Sequence, residues 1–334
     1  MKKKILISTG GSGGHVIPAT IFYEHLKDSF DVLISSDIRG RKFLNSKLHN
    51  LQIINTPKIT SNIFLLPIIF FHFTLLIFKS LFLFKKEKIK ILLSTGGYMS
   101  LPLCIAAKIL NIKIYLFEPN MVIGRMNKYF LRFCENIFCY SKEIKNYEKK
   151  YLHKIVLIDP LLRKEFYSVN VEENSSIQKE INLLIVGGSQ GAKLFDTILK
   201  NAIVSLSKNY KLKIFHQTNL KNFKNLREFY VKNNIHSEIF DFDENFLKYI
   251  KNANLCITRA GASTLSELTY LNIPYLAIPF LFARDNHQYE NALYYKNKNC
   301  CWILNQDELN EDKLLKNLIN IIDNKEDYME KKKT

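Results

Sequence analysis

The chain has 334 residues, 47% of them hydrophobic, with 48 Lys and Arg against 31 Asp and Glu for a formal net charge of +17. That length supplies two ordinary domains, each with its own core, and the apolar content excludes a disordered chain. The charge favours an anionic partner (nucleic acid, anionic lipid or a phosphorylated substrate), and the six cysteines, with no CxxC pair, point to a reduced compartment rather than a disulfide framework or zinc site.

In chain order, three lysines lead straight into Ile5-Leu6-Ile7 without an apolar stretch of signal-peptide length, which predicts a cytoplasmic chain. The strand at Lys4–Ile7 runs into Gly10-Gly11-Ser12-Gly13-Gly14-His15 and then Val16-Ile17-Pro18-Ala19, a glycine turn before a helix with proline in its first turn. Glycines let backbone amides approach an anion, and a helix N-terminus adds about half a positive charge, so a phosphate or pyrophosphate fits there. The alternative is a tight turn that binds nothing. His15, at the helix start, reads equally as a neutral base for a sugar hydroxyl or as a hydrogen-bonded structural histidine.

The segment Ile63–Phe84 is apolar apart from Pro67, His72, Thr74, Lys79 and Ser80, and Lys85, Lys86 and Lys88 follow it. It is long enough to span a bilayer, but it lies between strands that one sheet needs on the same side. One or two helices on a lipid interface, their lysines meeting anionic headgroups, fit better; a buried helix pair is the ordinary alternative. The next strand, Ile89–Leu93, ends at Gly96-Gly97. Asp159-Pro160 and the polar stretch 170–180 predict a linker, giving domains 1–162 and 163–334, with the last helix available to pack back on the first domain.

In the second half, Ile181–Val186 ends at Gly187-Gly188-Ser189-Gln190-Gly191, without the Lys-Ser/Thr ending of a P-loop. Leu255–Thr258 ends at Arg259-Ala260-Gly261, and Thr264-x-x-Glu267 reads as a capping box or, alternatively, places a carboxylate for the two hydroxyls of a ribose. Gln288 and Asn291 share a helix face, offering amides to sugar hydroxyls or simply meeting water. The charged tail from Asn324 is expected to fray or cap a helix. Most of the 12 glycines thus close predicted strands, at the ends where open α/β sheets bind ligands. The glycine-loop spacing and the second glycine domain argue against an NAD dehydrogenase despite Asp37 near the end of the second strand, and no RNA- or DNA-binding motif accompanies the charge.

Together, GGSGGHVIPA at 10–19, STGGY at 94–98, EPN at 118–120, GGSQGA at 187–192, RAGASTLSE at 259–267 and HQYENA at 287–292 resemble, in order, the MurG family, which adds N-acetylglucosamine to undecaprenyl-pyrophosphoryl-MurNAc-pentapeptide. The resemblance implies a GT-B type α/β fold, two doubly wound Rossmann-like domains facing a cleft. The activity implied is inverting transfer in peptidoglycan synthesis, with its links to cell-wall biogenesis, cell shape and division, and without a catalytic metal or cofactor. It implies UDP-GlcNAc contacts at Ser12, Gly13, Gly14, Asn120, Arg163, Ser189, Ala262, Ser263, Thr264, Leu265, Ser266, Glu267, Gln288 and Asn291, with Glu267 on the ribose. The acceptor pyrophosphate would meet Gly13, Gly14, Gly96, Gly97 and Tyr98, and His15 would activate the MurNAc 4-hydroxyl. Ile63, Phe64, Leu65, Ile68, Phe71, Leu75 and Lys79 would rest on an anionic membrane, the chain being peripheral on the cytoplasmic face of the inner membrane, with no nucleic acid as partner. Two places depart from the family pattern: Ile158-Asp159-Pro160-Leu161-Leu162-Arg163 replaces Gly-Asn-Pro-Val/Leu-Arg, and Pro119 replaces the glutamine of Glu-Gln-Asn.

Overall fold

The computed structural model describes residues 2–45, 50–57, 63–169, 180–188, 193–243 and 245–332. The chain divides into two compact units, Met1–Lys164 and Glu165–Thr334.

The first unit carries β1 (Lys4–Ser8), β2 (Asp31–Ser36), β3 (Leu51–Ile53), β4 (Ile91–Ser94), β5 (Lys113–Glu118), β6 (Asn136–Cys139) and β7 (Ile155–Leu157), joined by α1 (Gly13–Leu26), α2 (Ile38–Arg41), α3 (Leu66–Lys86), α4 (Leu101–Ile109) and α5 (Arg125–Phe130). Its parallel sheet has the order β3-β2-β1-β4-β5-β6-β7, Ile7 standing opposite Ile34 on one side and Leu93 on the other. Leu6, Ile7, Leu33, Ile34 and Leu92 are fully buried, as continuous apolar strands covered on both faces should be. The chain winds outward from β1 to β3, then returns to β4 on the opposite side, so the topological switch point lies between β1 and β4.

The second unit repeats the plan. Strands β8 (Glu180–Val186), β9 (Lys211–Gln217), β10 (His236–Phe240), β11 (Leu255–Thr258), β12 (Tyr275–Ala277) and β13 (Cys301–Ile303) form a parallel sheet in the order β10-β9-β8-β11-β12-β13, with its switch point between β8 and β11. Its helices follow α6 (Lys164–Tyr167), which lies at the junction: α7 (Phe195–Ser207), α8 (Phe223–Lys232), α9 (Leu247–Asn252), α10 (Ala262–Tyr270), α11 (His287–Asn297), α12 (Glu311–Asp323) and α13 (Lys325–Lys332). All six cysteines are buried thiols, and burial pushes Cys104 up to about 12.

Three local readings change. Pro18 lies inside α1, not in its first turn, because the helix already starts at Gly13 with Ser12 as N-cap; lacking an N–H, Pro18 gives the Gly14 carbonyl no intrahelical bond. The Ile63–Phe84 segment is not a buried helix pair: a 3-10 turn at Ile63–Leu65 leads into the single helix α3, Pro67 falls in its first turn, where proline is tolerated, and 6% of its most apolar stretch is buried. The charged tail forms α13, tied down by Tyr328, which is 1% exposed in the second unit's core and donates to the Asn254 carbonyl at 2.6 Å, and by Asp327, which accepts from Trp302 at 2.7 Å. One aromatic anchor in a charged stretch outweighs the composition. These contacts of α13 belong to its own unit.

A buried histidine adds a pH dependence. His216 is fully buried on β9, its Nδ1 2.8 Å from the Tyr230 hydroxyl and its Nε2 3.4 Å from Asp196, and desolvation pulls its pKa below the ordinary 6.5 in spite of that carboxylate. The folded imidazole is therefore neutral where the unfolded one takes a proton, so stability is complete above the unfolded pKa and falls as pH drops below about 6.5. A melting temperature that declines between pH 7.5 and pH 5.5, and less so in His216→Phe, is the expected result; identical slopes for the two proteins would contradict it.

Candidate active site

In the first unit the loops at the carboxyl ends of β1, β2, β4 and β5 meet around the switch point. His15, in the first turn of α1, is half-buried, and its Nδ1 lies 2.8 Å from the Thr95 carbonyl while its own carbonyl accepts from the Thr95 hydroxyl at 3.0 Å. A carbonyl only accepts, so Nδ1 carries the proton, which makes Nε2 the basic atom of the ring's neutral form. Gly96 and Gly97 form the ring's opposite wall. Both have left-handed φ values, +90° and +82°, and a Cβ would stand 3.3 Å from His15 Cε1 at Gly96 and 3.4 Å from Cδ2 at Gly97. The glycine pair thus serves the close approach of a histidine ring as well as the turn. Tyr98 follows at once, opening the turn into α4.

Two carboxylates that the sequence reading passed over brace these loops. Asp37 caps α2 with 0% exposure; its Oδ1 accepts from Gly11 N at 2.8 Å and Gly40 N at 2.9 Å, and its Oδ2 from Arg39 Nε at 2.7 Å. The acidic residue at the end of the second strand therefore holds a glycine loop. Glu118, 3% exposed at the end of β5, accepts from Asn120 N at 3.2 Å, Asn120 Nδ2 at 2.8 Å, Gly124 N at 2.7 Å and Asn127 Nδ2 at 3.0 Å. Asn120 consequently has a fixed side chain although Pro119 stands beside it, and Asn127 lies against Gly96. The signal was available in part: an Asp or Glu closing a strand before a glycine or asparagine loop has local N–H groups to accept.

In the second unit, Ser189 lies outside the described residues. Gly188, two residues beyond the end of β8, has φ +78°. Beyond β11, Gly261 caps α10 without a side-chain cap bond, so the capping box does not form: the helix starts at Ala262 and leaves Glu267, 3% exposed, in its interior. Ala262, Ser263 and Thr264 make the first turn, the last two half-buried; Leu265 is core, and the Ser266 hydroxyl is engaged by the Ala262 carbonyl at 2.9 Å and the Tyr295 hydroxyl at 2.8 Å. The two amides of α11 also have local work. Gln288 Oε1 accepts from Phe280 N at 3.0 Å and Ala260 N at 3.3 Å, and buried Asn291 donates to the Ala260 carbonyl at 3.1 Å. Both amides thereby brace the 259–261 loop, whose Arg259 is itself buried, bonded to the Ile278 carbonyl at 3.0 Å and stacked on Phe195 and Phe280. Desolvation lowers the Arg259 pKa to about 10. Arg163 is half-buried in the first unit, between β7 and α6.

Two glycine-lined switch points on separate Rossmann-like units, one with an oriented histidine, suit a nucleotide-sugar reaction on a phosphorylated acceptor. Residues 5–139 match the glycosyltransferase family 28 N-terminal domain and residues 182–334 its C-terminal domain. A UDP-N-acetylglucosamine–N-acetylmuramyl-(pentapeptide) pyrophosphoryl-undecaprenol N-acetylglucosamine transferase of Pelagibacter ubique is 57% identical over 333 residues, 100% of this chain and 93% of that protein. One of the same name from Rickettsia canadensis is 33% identical, over 96% of this chain and 91% of its own. The crystal structure of Acinetobacter baumannii MurG superposes with a TM-score of 0.77 at 24% identity, covering 99% of this chain and 94% of that one, which shows the two-Rossmann GT-B fold. On these matches along its whole length, the chain belongs to glycosyltransferase family 28 and, within it, to the MurG family.

Proposed function

We propose that the chain moves N-acetylglucosamine from UDP-GlcNAc to the 4-hydroxyl of the MurNAc sugar in undecaprenyl-pyrophosphoryl-MurNAc-pentapeptide, in peptidoglycan synthesis. The observation that carries this reading is the His15–Thr95 bond beside Gly96 and Gly97, within a chain that belongs to this family throughout. The acceptor oxygen attacks the anomeric carbon as that carbon's bond to the UDP oxygen breaks, inverting the centre. The hydroxyl proton passes to His15 Nε2, and the electron pair of the broken bond leaves on the β-phosphate of UDP. Backbone amides at the glycine loops and at the starts of α1 and α10 stabilise the phosphates. Glu267 accepts the ribose hydroxyls, Gln288 and Asn291 meet the hydroxyls of the donor sugar while bracing the 259–261 loop, and Ser189 and Arg163 contact the donor phosphates. The units Met1–Lys164 and Glu165–Thr334 divide acceptor and donor between them, two residues later than the expected boundary of 162/163.

The test is UDP release by the purified protein in EDTA with and without the lipid-linked acceptor. Release that requires the acceptor supports the reading; release only with diacylglycerol as acceptor would transfer it to another lipid. Glu267→Gln is expected to raise the KM for UDP-GlcNAc roughly 10- to 100-fold, since a carboxylate accepting two hydroxyls makes charge-assisted hydrogen bonds. An unchanged donor KM would remove Glu267 from the ribose.

Helix α3 supports a peripheral position on the cytoplasmic face of the inner membrane. Phe64, Phe70, Phe78 and Phe82 are 86%, 75%, 64% and 68% exposed, and Leu65, Ile68, Phe71 and Leu75 stand out beside them. Lys79, Lys85 and Lys86 lie on the same helix, and each near-surface lysine contributes about 1 kcal/mol toward an anionic leaflet. The side chain of Ile63 lies outside the described residues. Replacing Phe70, Phe71 and Phe78 with serine is expected to weaken partitioning onto anionic vesicles roughly 100-fold, taking each ring as partly inserted. Sedimentation with vesicles at low and high salt measures it, and unchanged partitioning would place the membrane contact elsewhere.

A further inference from the structure

Arg39 follows Asp37 by two residues, and nothing in the motif blocks points to it. Its guanidinium takes an unusual position. Nε donates to Asp37 Oδ2 at 2.7 Å, Nη2 donates to the Tyr98 hydroxyl, and the charge centre lies 5.1 Å from the centroid of the Tyr98 ring. Asp37, fully buried, also receives the backbone N–H groups of Gly11 and Gly40. One carboxylate thereby ties the arginine to the first glycine loop, and one phenol ties it to the second.

A surface ion pair would leave both partners in water, and such pairs contribute little. Here the carboxylate is sequestered at 0% exposure and has backbone donors of its own, whereas the arginine side chain keeps 41% exposure. With Nη2 also 3.8 Å from Met99 Sδ, the two N–H groups of Nη1 remain as a planar fork whose orientation is fixed from two sides, a geometry that suits a phosphate oxygen. The two glycine loops offer neutral amide donors, and a diphosphate diester brings two negative charges. Arg39 is a fixed cation at both loops.

We propose that Arg39 binds the diphosphate of the lipid-linked acceptor, with Asp37 and Tyr98 as positioning residues that hold its guanidinium. The inference rests on the reading of the glycine loops around Gly13 and Gly97 as the acceptor's diphosphate site. It adds the charged contact to that site and makes the linkage, rather than the sugar or peptide, the feature this residue selects.

The experiment compares the full chain with Arg39→Met, Arg39→Lys and Gly97→Ala, using an acceptor with a diphosphate linkage and one with a monophosphate linkage. Arg39→Met is expected to raise the KM for the diphosphate acceptor roughly 10- to 100-fold, the range of a lost charge-assisted hydrogen bond, and to leave the KM for UDP-GlcNAc within about twofold. Arg39→Lys recovers part of the loss, because it returns the charge without the fork. Wild type discriminates between the two acceptors, and Arg39→Met discriminates less; a purely structural role would penalise both acceptors alike and lower the melting temperature. Equal penalties, or a rise in the donor KM of the same size, would overturn the assignment. If Gly97→Ala raises the acceptor KM and neither Arg39 variant does, the loop reading stands and Arg39 falls; if none of the three does, the loop reading falls with it. Should Arg39→Met not fold, Arg39→Lys decides by the same two-acceptor comparison.

Discussion

His15→Ala is expected to lower kcat by roughly 10²- to 10⁴-fold, the usual contribution of a positioned general base, while the KM for UDP-GlcNAc stays near its original value. The expectation follows from one bond. With Nδ1 donating to the Thr95 carbonyl at 2.8 Å, the tautomer is set and Nε2 is the basic atom. The start of α1 adds to this, since the positive end of a helix dipole disfavours a second positive charge on the ring. His15→Gln separates the two readings of this residue. Glutamine can keep a hydrogen bond to Thr95 but cannot take a proton at neutral pH, so its kcat should fall nearly as far as that of alanine. Activity within about tenfold of wild type in His15→Gln would return His15 to a structural role.

The second large effect is expected at Glu118. Its carboxylate accepts four N–H bonds, from Asn120 main and side chain, Gly124 and Asn127, at 3% exposure. Glu118→Ala leaves those donors buried without an acceptor, and the cost is about 3 to 5 kcal/mol, because several half-broken bonds are worse than none. For a unit of this size that corresponds to a fall of roughly 10 °C in melting temperature. Activity should be lost well below that temperature, since Asn120 loses its anchor and the Asn127 amide lies 3.6 Å from the position of a Cβ on Gly96. Glu118→Gln is expected to fall between, one oxygen replaced by a donor facing donors. Calorimetry across the three proteins measures it; an unchanged melting temperature for Glu118→Ala would mean that water replaces the carboxylate freely.

The sequence was readable where the backbone itself demands a residue type. Gly10, Gly11, Gly96, Gly97 and Gly188 all have positive φ, so a turn from strand to loop leaves its mark as glycine regardless of what packs nearby. Apolar runs such as Ile181–Val186 are legible for a similar reason, being covered on both faces. Much less legible were contacts between loops far apart in the chain. Asp37 reaches Gly11, and Arg39 reaches Tyr98, only after β2, β1 and β4 have been laid side by side, and no local pattern records that. Local chemistry also misled when the register was off. Thr264 and Glu267 have capping-box spacing, but the helix begins at Ala262, so the pair sits inside it. Gln288 and Asn291 share a face as their spacing predicts, and only their bonds to the Ala260 backbone went unread. In α13, Tyr328 decides the packing and charge count hides it.

In the proposed reaction one sugar leaves UDP and joins a lipid-linked acceptor. The most direct measurement is the mass spectrum of that acceptor after incubation with UDP-GlcNAc and the purified protein in EDTA. The expected result is the gain of one N-acetylglucosamine per acceptor, matched by one UDP released and suppressed in His15→Ala. An unmodified acceptor, with UDP-GlcNAc converted instead to an epimeric sugar or left intact, would contradict it.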